Sequence, residues 1–279
     1  MLRRTFCHVP GIGIKAEEQL WAAGVVSWDS VEQATSSLSE RRRQRLTQHL
    51  AESHRQLAAN NPGFFAATMP STEHWRLYSA FRESVAYVDI ETTGLGGPGD
   101  HITTIALYDG RSIRHYVHGQ NLADFAHDIQ DYRVLVTYNG KCFDLPILRT
   151  TFGLPFDQAH IDLRYVLANL GYKGGLKSCE RQLGLDRGDL ANVDGFFAVA
   201  LWHDYRTRGN PHALETLLAY NIRDVVNLEA LLIKAYNFKL ARMPFGPMAP
   251  LDLPPSPAEP FQAHAPTIDR LLKRYAPFS

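Results

Sequence analysis

The chain has 279 residues, 45% of them hydrophobic, and its charges cancel: 29 Lys+Arg against 29 Asp+Glu. A chain of this size can bury a full core without staples. Three scattered cysteines (Cys7, Cys142 and Cys179) with no Cys-x-x-Cys exclude a disulfide scaffold and a thiolate zinc site and fit a reducing, cytoplasmic setting. The neutral balance argues against indiscriminate polyanion binding but leaves room for a local basic groove.

The opening MLRRTFCHVPGIG places Pro10 and two glycines where a signal peptide would need an apolar run, so no signal peptide is expected. No later run is long enough to span a bilayer, so no membrane partner is expected. Residues 1–82 read as a small helical region. AEEQLWAAGV is a helix ending near Gly24, and SVEQATSSLSERRRQRLTQHLAESHRQLAAN is one or two more, with Ser30 and Glu32 near a start. Pro62 and Gly63 break that pattern.

Residues 83–241 alternate strands and helices. SVAYVDIETT, HITTIALYDG and RSIRHYVHG are β-rich, with Asp109-Gly110 as the hairpin turn between the last two. VLVTYN is a further strand, and LETLLAYNIRDVVNLEALLIKAY is a strongly amphipathic helix. The order predicts an α/β domain with a mixed sheet flanked by helices. Residues 242–279 carry seven prolines between Pro244 and Pro260, which reads as a linker, followed by a short terminal helix, TIDRLLKRY.

The acidic residues carry the functional signal. Asp89 and Glu91 are two apart on a strand and share a face. Two carboxylates at the end of a buried strand repel and lose hydration unless a cation or proton compensates, and a hard divalent metal suits oxygen ligands. Asp144 follows the strand-turn segment Tyr138-Asn139-Gly140-Lys141-Cys142-Phe143 at a helix start, where an acid also complements the helix dipole. Tyr220 and Asp224 are four apart on the long helix and share a face. Taken singly, each has a structural explanation; the set is more specific.

Asp-x-Glu on a first strand, Asp after a later strand and Tyr-x-x-x-Asp on a late helix form the pattern of the DEDD 3′–5′ exonucleases on the ribonuclease-H-like fold. Tyr220 marks the DEDDy branch; the histidine branch places His one residue earlier, where Ala219 stands. The segments HWRLYSAFRESVAYVDIETTGL, LVTYNGKCFDLPIL, HIDLRYVL, LKSCERQLGLDR and LLAYNIRDVVNLEALL together resemble the YprB-type ribonuclease-H-like family, as does HVPGIGIKAEEQLWAAGVVSWDSV. True ribonucleases H place their second acid on a helix, so the spacing here speaks against hybrid cleavage of that kind.

The resemblance implies a two-metal 3′–5′ exonuclease that uses Mg or Mn, needs no small-molecule cofactor and acts on DNA or RNA with a free 3′ end. It implies that Asp89 bridges two ions about 3.5–4 Å apart, that Glu91 and Asp224 complete the site of the water-activating ion, and that Asp144 holds the second. Tyr220 would orient the attacking water. Thr92, Thr93 and Leu95 would contact the terminal nucleotide. Asn139 suits either a turn or a nucleotide. His160 and Asp162 read as capping residues rather than added ligands, Lys141 and Lys177 as surface lysines, and Cys142 as a small filler.

Val9-Pro10-Gly11-Ile12-Gly13-Ile14-Lys15 resembles the loop and second helix of a helix-hairpin-helix motif. Gly11, Gly13 and Lys15 are its candidate phosphate contacts, with Glu17 and Glu18 opposing an anion. The run Arg41-Arg42-Arg43-Gln44-Arg45 is either a nucleic-acid contact or a solvated helix face. A structure-selective nuclease on flaps or displaced ends and a non-catalytic nucleic-acid-binding module with the same fold are the competing functions. Protein partners are unknown from sequence.

Overall fold

The structure is a computed structural model that describes residues 1–32, 39–97, 99–190, 193–245 and 248–275. The N-terminal helices are α1 (Ile14–Ala22), α2 (Glu40–Ala58), α3 (Pro62–Ala66) and α4 (Tyr78–Phe81). The Ser27 amide donates to the Ser30 hydroxyl (3.0 Å), which donates back to the Ser27 carbonyl (2.7 Å). This closes a separate 3₁₀ turn over Trp28–Ser30, so the long helix expected near Ser30 begins at Glu40 instead. Its expected stretch over residues 33–38 lies outside the described residues.

A five-stranded sheet follows, made of β1 (Val85–Thr92), β2 (Ile102–Tyr108), β3 (Ile113–Val117), β4 (Val134–Thr137) and β5 (Ala159–Asp162). Its order is β3-β2-β1-β4-β5. The first three strands form an antiparallel meander, and β4 and β5 join in parallel. This is the mixed sheet that the sequence predicts. The edge strand β5 leaves no mark in the sequence, because AHID is too short for an alternating pattern and is strand only by pairing with β4.

The remaining helices are α5 (Phe125–Asp128), α6 (Asp144–Phe152), α7 (Leu163–Leu170), α8 (Leu176–Gln182), α9 (Gly195–Arg208), α10 (Pro211–Ala241) and α11 (Ala265–Tyr275). Asn210 caps α10 through the His212 amide, and Pro211 sits at its first position, where no N–H is needed. Nearly every residue of α10 from Leu217 to Ile233 is buried, so it is the central helix of the molecule. It packs on β1 and β2, on the face that carries Val85 and Tyr87. The opposite face buries Ala86, Val88 and Ile90 with Leu145 and Leu148 of α6. The first core is continuous with the N-terminal helices: Phe6, Leu20, Trp75 and Phe81 belong to the same cluster as Leu232 and Tyr236.

The proline-rich stretch, read as a linker, has no regular element over residues 248–264, yet it is anchored along α10. Asn237 brackets the Leu251 backbone with two 2.8 Å hydrogen bonds. Arg223 pairs with Glu259 at 2.7 Å, and the His264 amide donates to Thr216 (3.0 Å). These partners step back along α10, so the stretch is an extended strap. Prolines suit it, because a strap needs no ladder N–H groups. The terminal helix buries Ile268 and Leu271.

Candidate active site

The sheet geometry makes the site. Val85, Tyr87, Asp89 and Glu91 alternate onto the α10 face of β1. β4 pairs with β1 only over Val85–Tyr87, so the two strands part beyond that point. Into this gap α6 delivers Asp144, whose Oδ1 accepts the Ile90 amide (3.3 Å). A shift in the β1–β2 register between Glu91 and Thr92 turns the strand end at the same place. Tyr220 and Asp224, one turn apart on α10, face β1 from above.

Three of the predicted acids converge. Asp89, Glu91 and Asp224 each offer one oxygen, all within 4.8 Å of one another. Asp144 lies outside that trio but close enough to raise the pKa of Asp89 and Glu91. Burial and the neighbouring carboxylates push Asp89 and Glu91 well above the usual carboxylate range. Burial lifts Asp144 to about 7 and Asp224 to about 6, the latter against the pull of Arg187. Burial, then Asp224, Glu91 and Asp89, drive the Tyr220 phenol far up, so it stays protonated.

A divalent cation fits this donor set. All donors are carboxylate oxygens, as Mg²⁺ prefers. Oxygens on one such ion, at about 2.1 Å each, lie at most about 4.2 Å apart, so three oxygens within 4.8 Å of one another are on the scale of a shared ion. Four crowded, partly desolvated acids also need a compensating charge.

The structure adds residues that sequence reasoning missed. Asn221, fully buried, donates to Asp89 Oδ2 (2.6 Å) and to the Asp89 carbonyl (3.2 Å), and accepts from Thr104 (3.1 Å). Arg187 donates through Nη2 to Asp224 Oδ1 and grips Glu180 through Nε and Nη2. Glu180 also accepts from Asn227 (2.7 Å). Lys177 and Arg187 both lie over the Tyr220 ring, at 5.2 and 5.5 Å from its centroid. Lys177 is thus half-buried at the site rather than a plain surface lysine. Asn221 was within reach of the sequence, as an amide between Tyr220 and Asp224 on a buried helix. Glu180 and Arg187 were not, because they lie on either side of the α8 terminus and share no helical face.

The other candidates divide. Leu95 is 94% exposed at the tip of the loop after β1. Asp100 ties that loop by accepting the Gly96 and Gly97 amides (3.0 and 2.8 Å) and the Thr93 hydroxyl (3.3 Å). Thr92 is buried and donates to the Gly94 carbonyl. Asn139 takes a positive φ of 67° in the turn before α6 and accepts from Arg164. Asp162 locks that turn by accepting the Asn139 and Lys141 amides (2.8 and 3.0 Å) and caps α7 through the Arg164 amide (3.1 Å). His160 bonds Thr137 (2.9 Å). Both are scaffold, as their spacing suggested. Gly11, Gly13 and Lys15 lie in the N-terminal region at the start of α1 and are not among the partners of these carboxylates.

Residues 86–236, just over half the chain, match the family model of the RNase_H superfamily. The chain belongs to the RNase_H superfamily. Over 174 residues it is 28% identical to the uncharacterized protein YprB of Bacillus subtilis, a match covering 54% of this chain and 42% of that relative's length. Among solved structures it is similar to a family B DNA polymerase from Pyrobaculum calidifontis (TM-score 0.41, 20% identity, 56% of this chain and 24% of that one). It is also similar to Brucella melitensis NrnC bound to pGG (TM-score 0.30, 18% identity, 60% and 91%). The family match, residues 86–236, spans nearly all of the sheet and the helices from α5 into α10. No helix among the described residues is long and apolar enough to cross a membrane.

Proposed function

We propose that this chain is a cytoplasmic, divalent-metal-dependent 3′–5′ exonuclease of the DEDDy type, acting on DNA or RNA with a free 3′ end. The observation that carries the reading is the convergence of Asp89, Glu91 and Asp224 within 4.8 Å, with Asp144 and Tyr220 beside them.

Asp89, Glu91 and Asp224 would hold one ion, and Asp89 with Asp144 the second. When bound, Mg or Mn supplies Lewis acidity and a water of lowered pKa. Asn221 fixes the Asp89 carboxylate, and Arg187 fixes Asp224 through one oxygen, leaving the other for a ligand bond. A phenol held protonated is no base, so Tyr220 orients the attacking water by hydrogen bonding. Lys177 adds positive charge at the same ring, which favours a phosphate there. The exposed Leu95 gives the loop after β1 an apolar tip for the terminal base, with Thr92 and Thr93 at its root, and Asn139, in the turn before α6, would be a further nucleotide contact. Water attack on the last phosphodiester releases a nucleoside 5′-monophosphate and a strand shorter by one.

Digestion of end-labelled single- and double-stranded DNA and RNA with Mg²⁺ or Mn²⁺ tests this. A 5′ label should persist in a ladder of shortening fragments, while a 3′ label leaves at once as mononucleotide. Cleavage of closed circles as fast as linear strands would instead assign an endonuclease. Binding without cleavage under every metal would assign a non-catalytic module.

A further inference from the structure

The basic run on α2 faces the glycine loop across a cleft. A space of about 760 Å³ separates Val9-Pro10-Gly11-Ile12 from one side of α2, lined there by Arg41, Arg42, Arg45 and Arg55. We propose that this cleft is a second nucleic-acid site, which takes the phosphate backbone of a strand well away from the carboxylates.

The charge balance carries the argument. Four arginines and one acid, Glu52, line the cleft on a chain whose net charge is +0. Glu52 is engaged by Arg55 and Gln56, and the nearby Glu40 by Arg43 and Gln44. Arg41, Arg42 and Arg45 are exposed and have no acidic partner among the described residues. Residues 33–38 contain no acid either. Arg41 and Arg45 are one turn apart, a spacing at which like charges repel. Among the described residues no acid pairs with either to offset that repulsion, whereas a polyanion would.

The opposite wall is suited to the same ligand. Gly11 has φ +82° with nothing within 4 Å of a Cβ built on it, so the backbone there is bare. The Gly11 amide donates to no group among the described residues, and Gly13 lies outside the lining. Glu17, which the sequence set against an anion, is wholly buried: it accepts the Cys7 amide (3.0 Å) and pairs with Arg76 at 2.7 Å. Its charge is therefore neutralised in the core. Lys15 is exposed on the first turn of α1, outside the lining.

Position and shape select a strand over a small phosphate ester. From Arg41 to Arg55 the lining spans 14 residues of helix, about 21 Å at 1.5 Å per residue. A track of that length matches repeated phosphates. The N-terminal region packs on the far part of α10, with Trp75 against Tyr236, 12 residues or about 18 Å along the helix from Asp224. A strand held in both places is gripped several nucleotides from the site of cleavage.

The binding claim stands without catalysis; only its part in feeding the carboxylates rests on the exonuclease reading. The test is fluorescence anisotropy of labelled 20-nucleotide strands and 20-base-pair duplexes in EDTA across salt concentrations, with wild type, R41Q/R42Q/R45Q and R41K/R42K/R45K. The glutamine variant should keep its melting temperature, weaken binding at least 10-fold and flatten the log–log salt dependence by about 2 for strands and about 3 for duplexes, for three lost phosphate contacts. The lysine variant should retain most of the affinity. Dinucleotide cleavage with Mn²⁺, on a substrate too short to reach the cleft, should be equal in all three. Wild-type affinity and salt slope in the glutamine variant would overturn the proposal and make the run a solvated face. Absence of dinucleotide cleavage in wild type would count against the exonuclease reading alone.

Discussion

Arg187 divides its donors between two acids. Glu180 balances its charge, so the guanidinium can hold Asp224 without belonging to the metal cluster. Arg187→Met should strand a buried Glu180 and cost about 3–5 kcal/mol, or on the order of 10 °C in Tm. Arg187→Met combined with Glu180→Leu should recover most of that loss, because no unpaired charge remains. Asp224 should still be misoriented, and Mn²⁺ affinity by isothermal titration should fall about 10-fold or more. Unchanged affinity in the double variant would show that Asp224 needs no holder. Tyr220 is separable from the metals in the opposite sense. Tyr220→Phe keeps the ring under Lys177 and Arg187 and removes one oxygen. Its metal affinity should not move, while single-turnover cleavage slows by about 10²–10³-fold. An unchanged rate would reduce Tyr220 to a packing residue.

At the scale of elements, the turn from β4 into α6 decides where Asp144 stands. Gly140 is required there by contact: a Cβ on it would come within 2.2 Å of Thr137 Oγ1, whose hydroxyl accepts the Gly140 amide. Gly153, which ends α6 with φ 65°, has open space around it. Gly140→Ala should therefore cost about 1–3 kcal/mol through overpacking and lower cleavage as well, because the turn carries Asp144. Gly153→Ala should cost about 1–2 kcal/mol for its left-handed backbone and leave cleavage as in wild type. Thermal melts beside cleavage rates check the pair. Equal loss of activity in both would mean that α6 moves as a unit rather than through its turn.

For the whole molecule, the raised carboxylates couple folding to pH and metal. Asp144 at about 7 and Asp224 at about 6 compare with about 3.9 for a free Asp. Between those values the folded chain binds more protons than the unfolded one, so metal-free stability should fall as pH rises from about 4 to 7. A loss of about 2 kcal/mol would lower Tm by on the order of 5 °C. Divalent metal requires the deprotonated acids, so the Tm gain on adding Mg²⁺ or Mn²⁺ should widen over the same range. Asp144→Asn should flatten the metal-free profile. Scanning calorimetry in EDTA and in metal across pH measures both trends; a metal-free Tm that rises toward pH 7 would contradict the coupling.

The strands of the meander, the Asp109-Gly110 hairpin, the long helix and the acids that converge are legible in the sequence, because each leaves a local mark. Alternation places Asp89 and Glu91 on one face, and a four-residue step pairs Tyr220 with Asp224. What the sequence could not determine was held by contacts between distant segments. β5 is a strand only beside β4. The strap of residues 248–264 is fixed by Asn237, Arg223 and Thr216, each on a different turn of α10. Arg187 reaches Asp224 across 37 residues of chain, and Asn221 reaches Asp89 across 132. Such pairs have no period or spacing to betray them. They exist because the packing of α10 on the central strand brings buried polar groups together, and buried polar groups must find partners.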